Sequence, residues 1–329
     1  MNIALDAMGG DHAPKEIVAG AVEAAPLLHH RITLVGDPAA IQAHLPTPCP
    51  TNIEIHPASE VIEMHEKPVE AIRKKRNSSL VVAANLVKES KASAMVSAGN
   101  TGAATAACLL AWRQMHGFHR PAIASVMPNP HGRFVLLDAG ASPDVDPEHM
   151  VEFALMGRAY AEKMLWRTCP RVHLLNVGEE EGKGNAFAKQ SYHLLSQHSW
   201  FAGNIEGKDM LAKNVDVVVC DAFVGNVVLK TAEGVAEMIL KLIRDQVPKN
   251  PVQALPYLPL KGLLRPLLNK LDYAEIGGSP LLGLNGLCFI GHGRSNAKAI
   301  RNALLQAQTA IDERLVDVIR ESVRVELGV

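Results

Sequence analysis

Short apolar runs in this chain end, one after another, in a glycine-containing loop that passes into a helix-forming segment. Residues 2–7 lead to Met8-Gly9-Gly10-Asp11-His12, and Pro14 opens a helix striped by Ile17, Val18, Val22 and Leu28. The run ending at Met95-Val96 gives way to Ser97-Ala98-Gly99-Asn100-Thr101-Gly102 and an Ala- and Leu-rich helix. Residues 134–137 end at Asp138-Ala139-Gly140-Ala141-Ser142, before a long helix to about Trp166. Residues 172–177 end in Gly178-Glu179-Glu180-Glu181-Gly182-Lys183-Gly184, before a helix at 186–195. Residues 215–220 end in Asp221-Ala222-Phe223-Val224-Gly225-Asn226, before a helix at 227–247. This alternation predicts an α/β fold: a mostly parallel, doubly wound sheet with helices on both faces. Ligands in such sheets bind outside the carboxyl ends of the strands, so the loops at Gly9, Gly99, Gly140, Lys183 and Gly225 are expected to crowd one edge.

The remaining elements fit the same scheme. Residues 31–35 and 52–56 read as strands, and 78–90 as a helix. Residues 123–127 and 134–137 are joined by Pro128-Asn129-Pro130-His131-Gly132 as a hairpin-like pair. Residues 287–290 form the last strand before the terminal helix.

The loop at Gly99 carries the clearest chemistry. Gly99 and Gly102 let the backbone turn sharply and let a ligand approach the main chain, while Asn100 and Thr101 are N-cap residues. The first N–H groups of a helix lack internal partners and sit at the positive end of its dipole, so a phosphate-sized anion fits. A bare helix cap fits equally well.

Bulk properties exclude several classes. The net charge of −1 over 329 residues gives no bias toward nucleic acid. Five cysteines, without a C-x-x-C pair, argue against a disulfide framework or zinc site and for a reducing cytoplasm. With a strand expected from the first residues, no signal peptide is expected, and no run of about 18 apolar residues suggests a span. There is no G-x-G-x-x-G, no G-x-x-x-x-G-K-[ST], no G-x-S-x-G and no spaced metal cluster.

Two segments break the pattern. Arg73-Lys74-Lys75-Arg76 is either a solvated helix end or a docking patch for an acidic partner. Residues 248–273 mix five prolines with leucines and with Lys261, Arg265 and Lys270. That mixture suits a lid, a dimer contact, an interfacial membrane element or simple packing.

Several motifs follow one another in a familiar order. They are Asp6-Ala7-Met8-Gly9-Gly10-Asp11, Ser97-Ala98-Gly99-Asn100-Thr101-Gly102-Ala103, Asn204-Ile205-Glu206-Gly207 and Phe223-Val224-Gly225-Asn226, then Gly277-Gly278, Leu281-Leu282-Gly283 and Gly291-His292-Gly293. From end to end the chain resembles the bacterial phosphate acyltransferases of phospholipid synthesis, the PlsX family. It departs from that pattern at Ala222, where glycine is expected, and at Ser142, where asparagine is expected.

The resemblance implies transfer of a long-chain acyl group from acyl carrier protein to inorganic phosphate. The acyl phosphate formed would feed a membrane glycerol-3-phosphate acyltransferase. It further implies a homodimer, no cofactor, and a sheet of the phosphotransacetylase and isocitrate-dehydrogenase type. Residues 1–329 would form a single unit, with 248–273 the tip of a protruding helical hairpin. Phosphate binding is expected at Gly99, Asn100, Thr101, Gly102 and Lys183. Asn226 is an oxyanion candidate or a helix cap. His12 and His292 are proton donors to the departing sulfur or plain loop histidines. The aspartates Asp6, Asp11, Asp138 and Asp221 would orient other groups, since a bare carboxylate repels phosphate. The acidic carrier protein would dock on Arg73, Lys74, Lys75 and Arg76 or on Lys261, Arg265 and Lys270. Leu258, Leu260, Leu263, Leu264 and Leu267 would touch the membrane surface, making a cytoplasmic, peripherally membrane-associated protein. The rivals are a short-chain phosphotransacylase using coenzyme A, an NAD-dependent decarboxylating dehydrogenase and a non-catalytic membrane scaffold.

Overall fold

The computed structural model describes residues 1–246 and 273–328. The strands are β1 (Asn2–Asp6), β2 (Arg31–Gly36), β3 (Ile53–Pro57), β4 (Ala94–Ser97), β5 (Ala122–Ile123), β6 (Ser125–Asn129), β7 (Gly132–Leu137), β8 (Val172–Leu175), β9 (Phe201–Ile205), β10 (Val217–Val219), β11 (Gly278–Leu282) and β12 (Cys288–Gly291). The helices are α1 (Lys15–Ala24), α2 (Pro38–Gln42), α3 (Pro68–Lys74), α4 (Ser79–Lys88), α5 (Thr101–Trp112), α6 (His149–Met164), α7 (Ala186–Leu195), α8 (Gly207–Met210), α9 (Ala222–Gln246), α10 (Tyr273–Ile276), α11 (Ala297–Asp312) and α12 (Leu315–Leu327).

The strands form two sheets rather than one. The first has the order β3-β2-β1-β4-β12-β11-β5 and the second β6-β7-β10-β8-β9. In the first, β3, β2, β1, β4 and β12 run parallel, with β11 antiparallel. In the second, β7, β10, β8 and β9 run parallel and β6 is antiparallel. The apolar run at 123–127 is where the chain changes sheets: Ile123 pairs with Leu281 in one, and Ser125 pairs with Leu136 in the other. Both halves are buried, so hydropathy carries no mark of the change.

Continuous apolar strands suit a sheet covered on both faces. Ile3, Ala4 and Leu5 of β1 and the three valines of β10 are fully buried. In the first sheet, α1 and α11 pack on one face and α4 and α5 on the other. In the second, α6 covers one face, while Val228 and Ala232 of α9 pack with Phe134, Leu136 and Val218 on the other. The seven-residue helix α3 packs on α5, where a Cβ on Gly102 would lie 2.7 Å from Pro68 Cγ. Residues 248–273, including the five leucines expected at a membrane, lie outside the described residues apart from Tyr273.

Candidate functional site

The loops after β1 and β4 are locked together by one carboxylate. Leu5 and Val96 are register partners, which brings Asp6 beside Ser97. Ser97 Oγ donates to Asp6 Oδ2 at 2.7 Å, and the Gly99 amide donates to Ser97 Oγ at 3.1 Å. The Met8 amide donates to Asp6 Oδ1 at 3.3 Å. Burial pushes the Asp6 carboxyl up, and hydrogen bonds from Ser79, Ser97 and the backbone oppose that. Gly9 is needed here, because a Cβ on it would sit 2.9 Å from the Gly99 amide nitrogen.

Asn100 caps α5, its Oδ1 accepting from the Ala103 amide at 3.0 Å. Its Nδ2 donates to the carbonyls of Met64 and Glu66 at 2.9 and 3.1 Å. The side chain expected at a phosphate is therefore engaged in shaping the loop. Thr101 and Gly102 are exposed, and the first intrahelical bond of α5 is donated by Ala104. Their amides stand at the positive end of a 12-residue helix.

A second carboxylate organises the end of β7. Asp138 is fully buried. Its Oδ1 accepts from the amides of Ile123, Gly140 and Ala141, each at 2.9 Å, and its Oδ2 from Ser142 at 2.8 Å. All four partners are donors, so this cage suits the ionised carboxylate. Burial nevertheless pushes its pKa up, with the four N–H bonds pulling the other way. The Ser142 hydroxyl donates to the Pro121 carbonyl at 2.8 Å.

The helix expected from residue 227 begins at Ala222 instead. Asp221 starts it, accepting the Val224 amide at 3.0 Å. Asn226 thus lies inside the first turns of α9, not at a cap. It is exposed, and its Oδ1 is 3.8 Å from where a Cβ on Gly140 would stand. One turn on, Lys230 Nζ is 3.3 Å from His292 Nε2 and 2.9 Å from Glu233. Burial first, and Lys230 second, push the His292 ring pKa down. The His292 loop follows β12, whose Ile290 pairs with Ser97. Next to it, the Gly293 carbonyl accepts the Asp11 amide at 2.8 Å. The first turns of α9 therefore reach from the Gly140 loop to the loops at Gly9, Gly99 and Gly293. Lys230 escaped the sequence reading because it lies on a helix beyond the motif. Its signal is the four-residue spacing from Asn226.

Lys183 belongs to the edge of the second sheet. It is half exposed, pairs with Glu180 at 3.9 Å, and its carbonyl accepts from Asn176 Nδ2 at 3.2 Å. Among the described residues no hydrogen bond or ion pair joins it to the 99–102 loop. Two residues on, Asn185 caps α7 and lines a cavity of about 440 Å³ with Arg120, Asp144, Asp146, Phe187 and Asp221.

The model of the family described as fatty acid synthesis protein matches residues 1–317. The chain belongs to that family. Curated relatives called phosphate acyltransferase support the same placement. The protein from Pelotomaculum thermopropionicum is 49% identical over 98% of this chain and 95% of its own length. The one from Desulforamulus reducens is 47% identical over 100% of this chain and 99% of its own length. These relatives make the chain an acyltransferase of the phosphate acyltransferase (PlsX) family. Among solved structures, a phosphotransacetylase from Streptococcus pyogenes aligns with TM-score 0.61 at 17% identity, covering 95% of this chain and 94% of that one. A putative 4-hydroxythreonine-4-phosphate dehydrogenase from Salmonella typhimurium aligns with TM-score 0.52 at 12% identity, covering 94% and 99%. These two establish the fold alone.

In this phosphate acyltransferase family member the other sequence-derived candidates separate. His12 is exposed on the turn beside the Gly293 loop. Arg73, Lys74 and Arg76 are exposed on and just after α3. Lys75 is committed inward, donating to the Val61 carbonyl at 2.7 Å and pairing with Glu66. Among the described residues, no helix is long and apolar enough to cross a membrane.

Proposed function

We propose that the chain transfers a long-chain acyl group from acyl carrier protein to inorganic phosphate, giving acyl phosphate for phospholipid synthesis. The reading rests on one observation above others: the exposed glycine-rich N-terminus of α5 packs directly against the basic helix α3, through Gly102 and Pro68. An anion site and a landing surface for an acidic carrier are thus neighbours.

In the reaction, a phosphate oxygen attacks the thioester carbonyl, and the tetrahedral oxyanion collapses to expel the thiolate of the carrier's arm. A thiol with pKa about 8.5 leaves with little help, so the protein chiefly binds, aligns and stabilises charge. Alignment contributes about 7–11 kcal/mol. One oxyanion donor contributes about 3–4 kcal/mol. Backbone amides at Thr101 and Gly102 hold phosphate, with Lys183 as cation and Gly99 shaping the loop through its bond to Ser97. Asn226 Nδ2 faces the oxyanion. The enzyme works as a homodimer against the membrane surface through residues 248–273 and hands its product to a membrane acyltransferase.

The test compares donors. Palmitoyl-acyl carrier protein and palmitoyl-coenzyme A are each incubated with enzyme and phosphate, and the product is trapped as hydroxamate. Product from the carrier-protein donor alone supports the proposal. Product from coenzyme A alone transfers the chain to the short-chain phosphotransacylase reading.

A further inference from the structure

We propose that His29, His30 and Asp312 form a binding site for a zinc-type divalent ion. The site lies at the edge of the first sheet opposite the glycine loops. His29 and His30 stand in the turn before β2, and Asp312 ends α11. Folding brings them together across 282 residues.

The geometry is that of a ligand set. His29 Nε2 lies 3.2 Å from both Oδ1 and Oδ2 of Asp312, and His30 Nε2 lies 3.0 Å from Oδ1. The two rings meet edge to face with centroids 4.2 Å apart, so both nitrogens converge on one carboxylate. All three ligand atoms fall within 4.8 Å of one another. Tetrahedral zinc with bonds near 2.0–2.1 Å separates neighbouring ligand atoms by about 3.3 Å. The nitrogen–carboxylate spacings of 3.0 and 3.2 Å need only a small outward shift to admit the ion.

The scaffold holds these groups in place before any ion arrives. The His29 amide donates to Gln308 Oε1 at 2.9 Å, one turn before Asp312 on the same helix. Ala310 and Ile311 anchor that turn in the core. His30 is buried with its Nε2 directed at Asp312 Oδ1, so an ion would take the place of the proton now shared between them. His29 and Asp312 are exposed, leaving an approach for the ion and room for a water as fourth ligand.

A second group, His119, His149 and Glu152, fails the same test. His149 Nδ1 accepts the Asp146 amide at 2.8 Å, which places the proton of the neutral ring on Nε2. Glu152 Oε2 accepts the His119 backbone amide at 2.8 Å, a proton that no ion displaces, whereas Asp312 holds only ring nitrogens. That group is a brace for the loop after α5.

An ion at His29, His30 and Asp312 would clamp the end of α11 to the turn before β2, stabilising the folded chain in proportion to its concentration. The test uses chelator-stripped protein with the exposed Cys49 and Cys169 changed to serine, which removes competing thiols. Co²⁺ is titrated and the visible absorption followed. The expected result is a saturable, one-to-one tetrahedral Co²⁺ band that Zn²⁺ displaces. The band is lost in His29→Ala and in Asp312→Asn. Zn²⁺ should also raise Tm in the parent and in neither variant. A parent without the band, or a band that persists undiminished in both variants, overturns the proposal.

Discussion

Gly225 packs against the carbonyl of Asp138 so closely that a Cβ on Gly225 would overlap its oxygen. This contact lets the first turns of α9 lie over the loop that the Asp138 carboxylate cages. The glycine is there for space, since it sits inside a regular helix.

Gly225→Ala should therefore push α9 away from the Gly140 loop and carry Asn226 and Lys230 with it. Overpacking of this kind costs about 1–3 kcal/mol. Thermal melts should show a lower Tm, and acyl transfer should fall further than the loss of folded protein explains. Unchanged Tm and activity would show that the helix does not depend on this contact.

Lys183→Ala tests the cation assigned to phosphate. Lys183 is half exposed, and its ion pair with Glu180 at 3.9 Å contributes little to stability. The account expects unchanged Tm and a fall of about 10²–10³ in turnover, the scale of one lost charge-stabilising group. Retained turnover would pass the role to another cation, and Lys230 beside His292 is the first to examine.

The basic helix should divide by role. Arg73→Glu with Arg76→Glu should raise KM for acyl carrier protein while leaving KM for phosphate unchanged. Lys75→Ala should lower Tm, because it removes the bonds to Val61 and Glu66 that hold the loop under Asn100. Steady-state kinetics in each substrate separate the two effects.

Stability should fall on the acid side of neutrality. Burial pushes the ring pKa values of His30, His173 and His292 down. Unfolded histidines titrate near about 6.5, so below that pH the unfolded chain binds more protons than the folded one. This contribution is fully present above about pH 6.5 and is lost as pH falls through the folded values. Urea midpoints of metal-free protein should drop across that window, and His173→Gln should flatten the slope. The raised carboxyls of Asp6 and Asp138 act in the opposite sense, so the histidine contribution is the difference between the two proteins, and equal slopes in parent and His173→Gln would contradict the assignment.

Much of this arrangement is legible in the sequence, for identifiable reasons. Asn100 is a strong cap at the start of an alanine-rich helix, and it caps as local chemistry dictates. The alternation of strands and helices is visible because both faces of the sheets are covered. The division into two sheets is hidden, because Ile123 and Val126 are equally apolar and buried on either side of it. Gly225 reads as a turn when its role is close approach within a helix. The Asp138 cage leaves only a carboxylate followed by small residues as its trace. His30 and Asp312 meet only through the tertiary fold.

The central claim is that the acyl acceptor is phosphate. ³¹P NMR of enzyme, palmitoyl-acyl carrier protein and inorganic phosphate measures this directly, with free thiol of the carrier followed in parallel. The account predicts an acyl phosphate resonance growing in step with thiol release. Thiol release without that resonance would mean that water is the acceptor, and would contradict it.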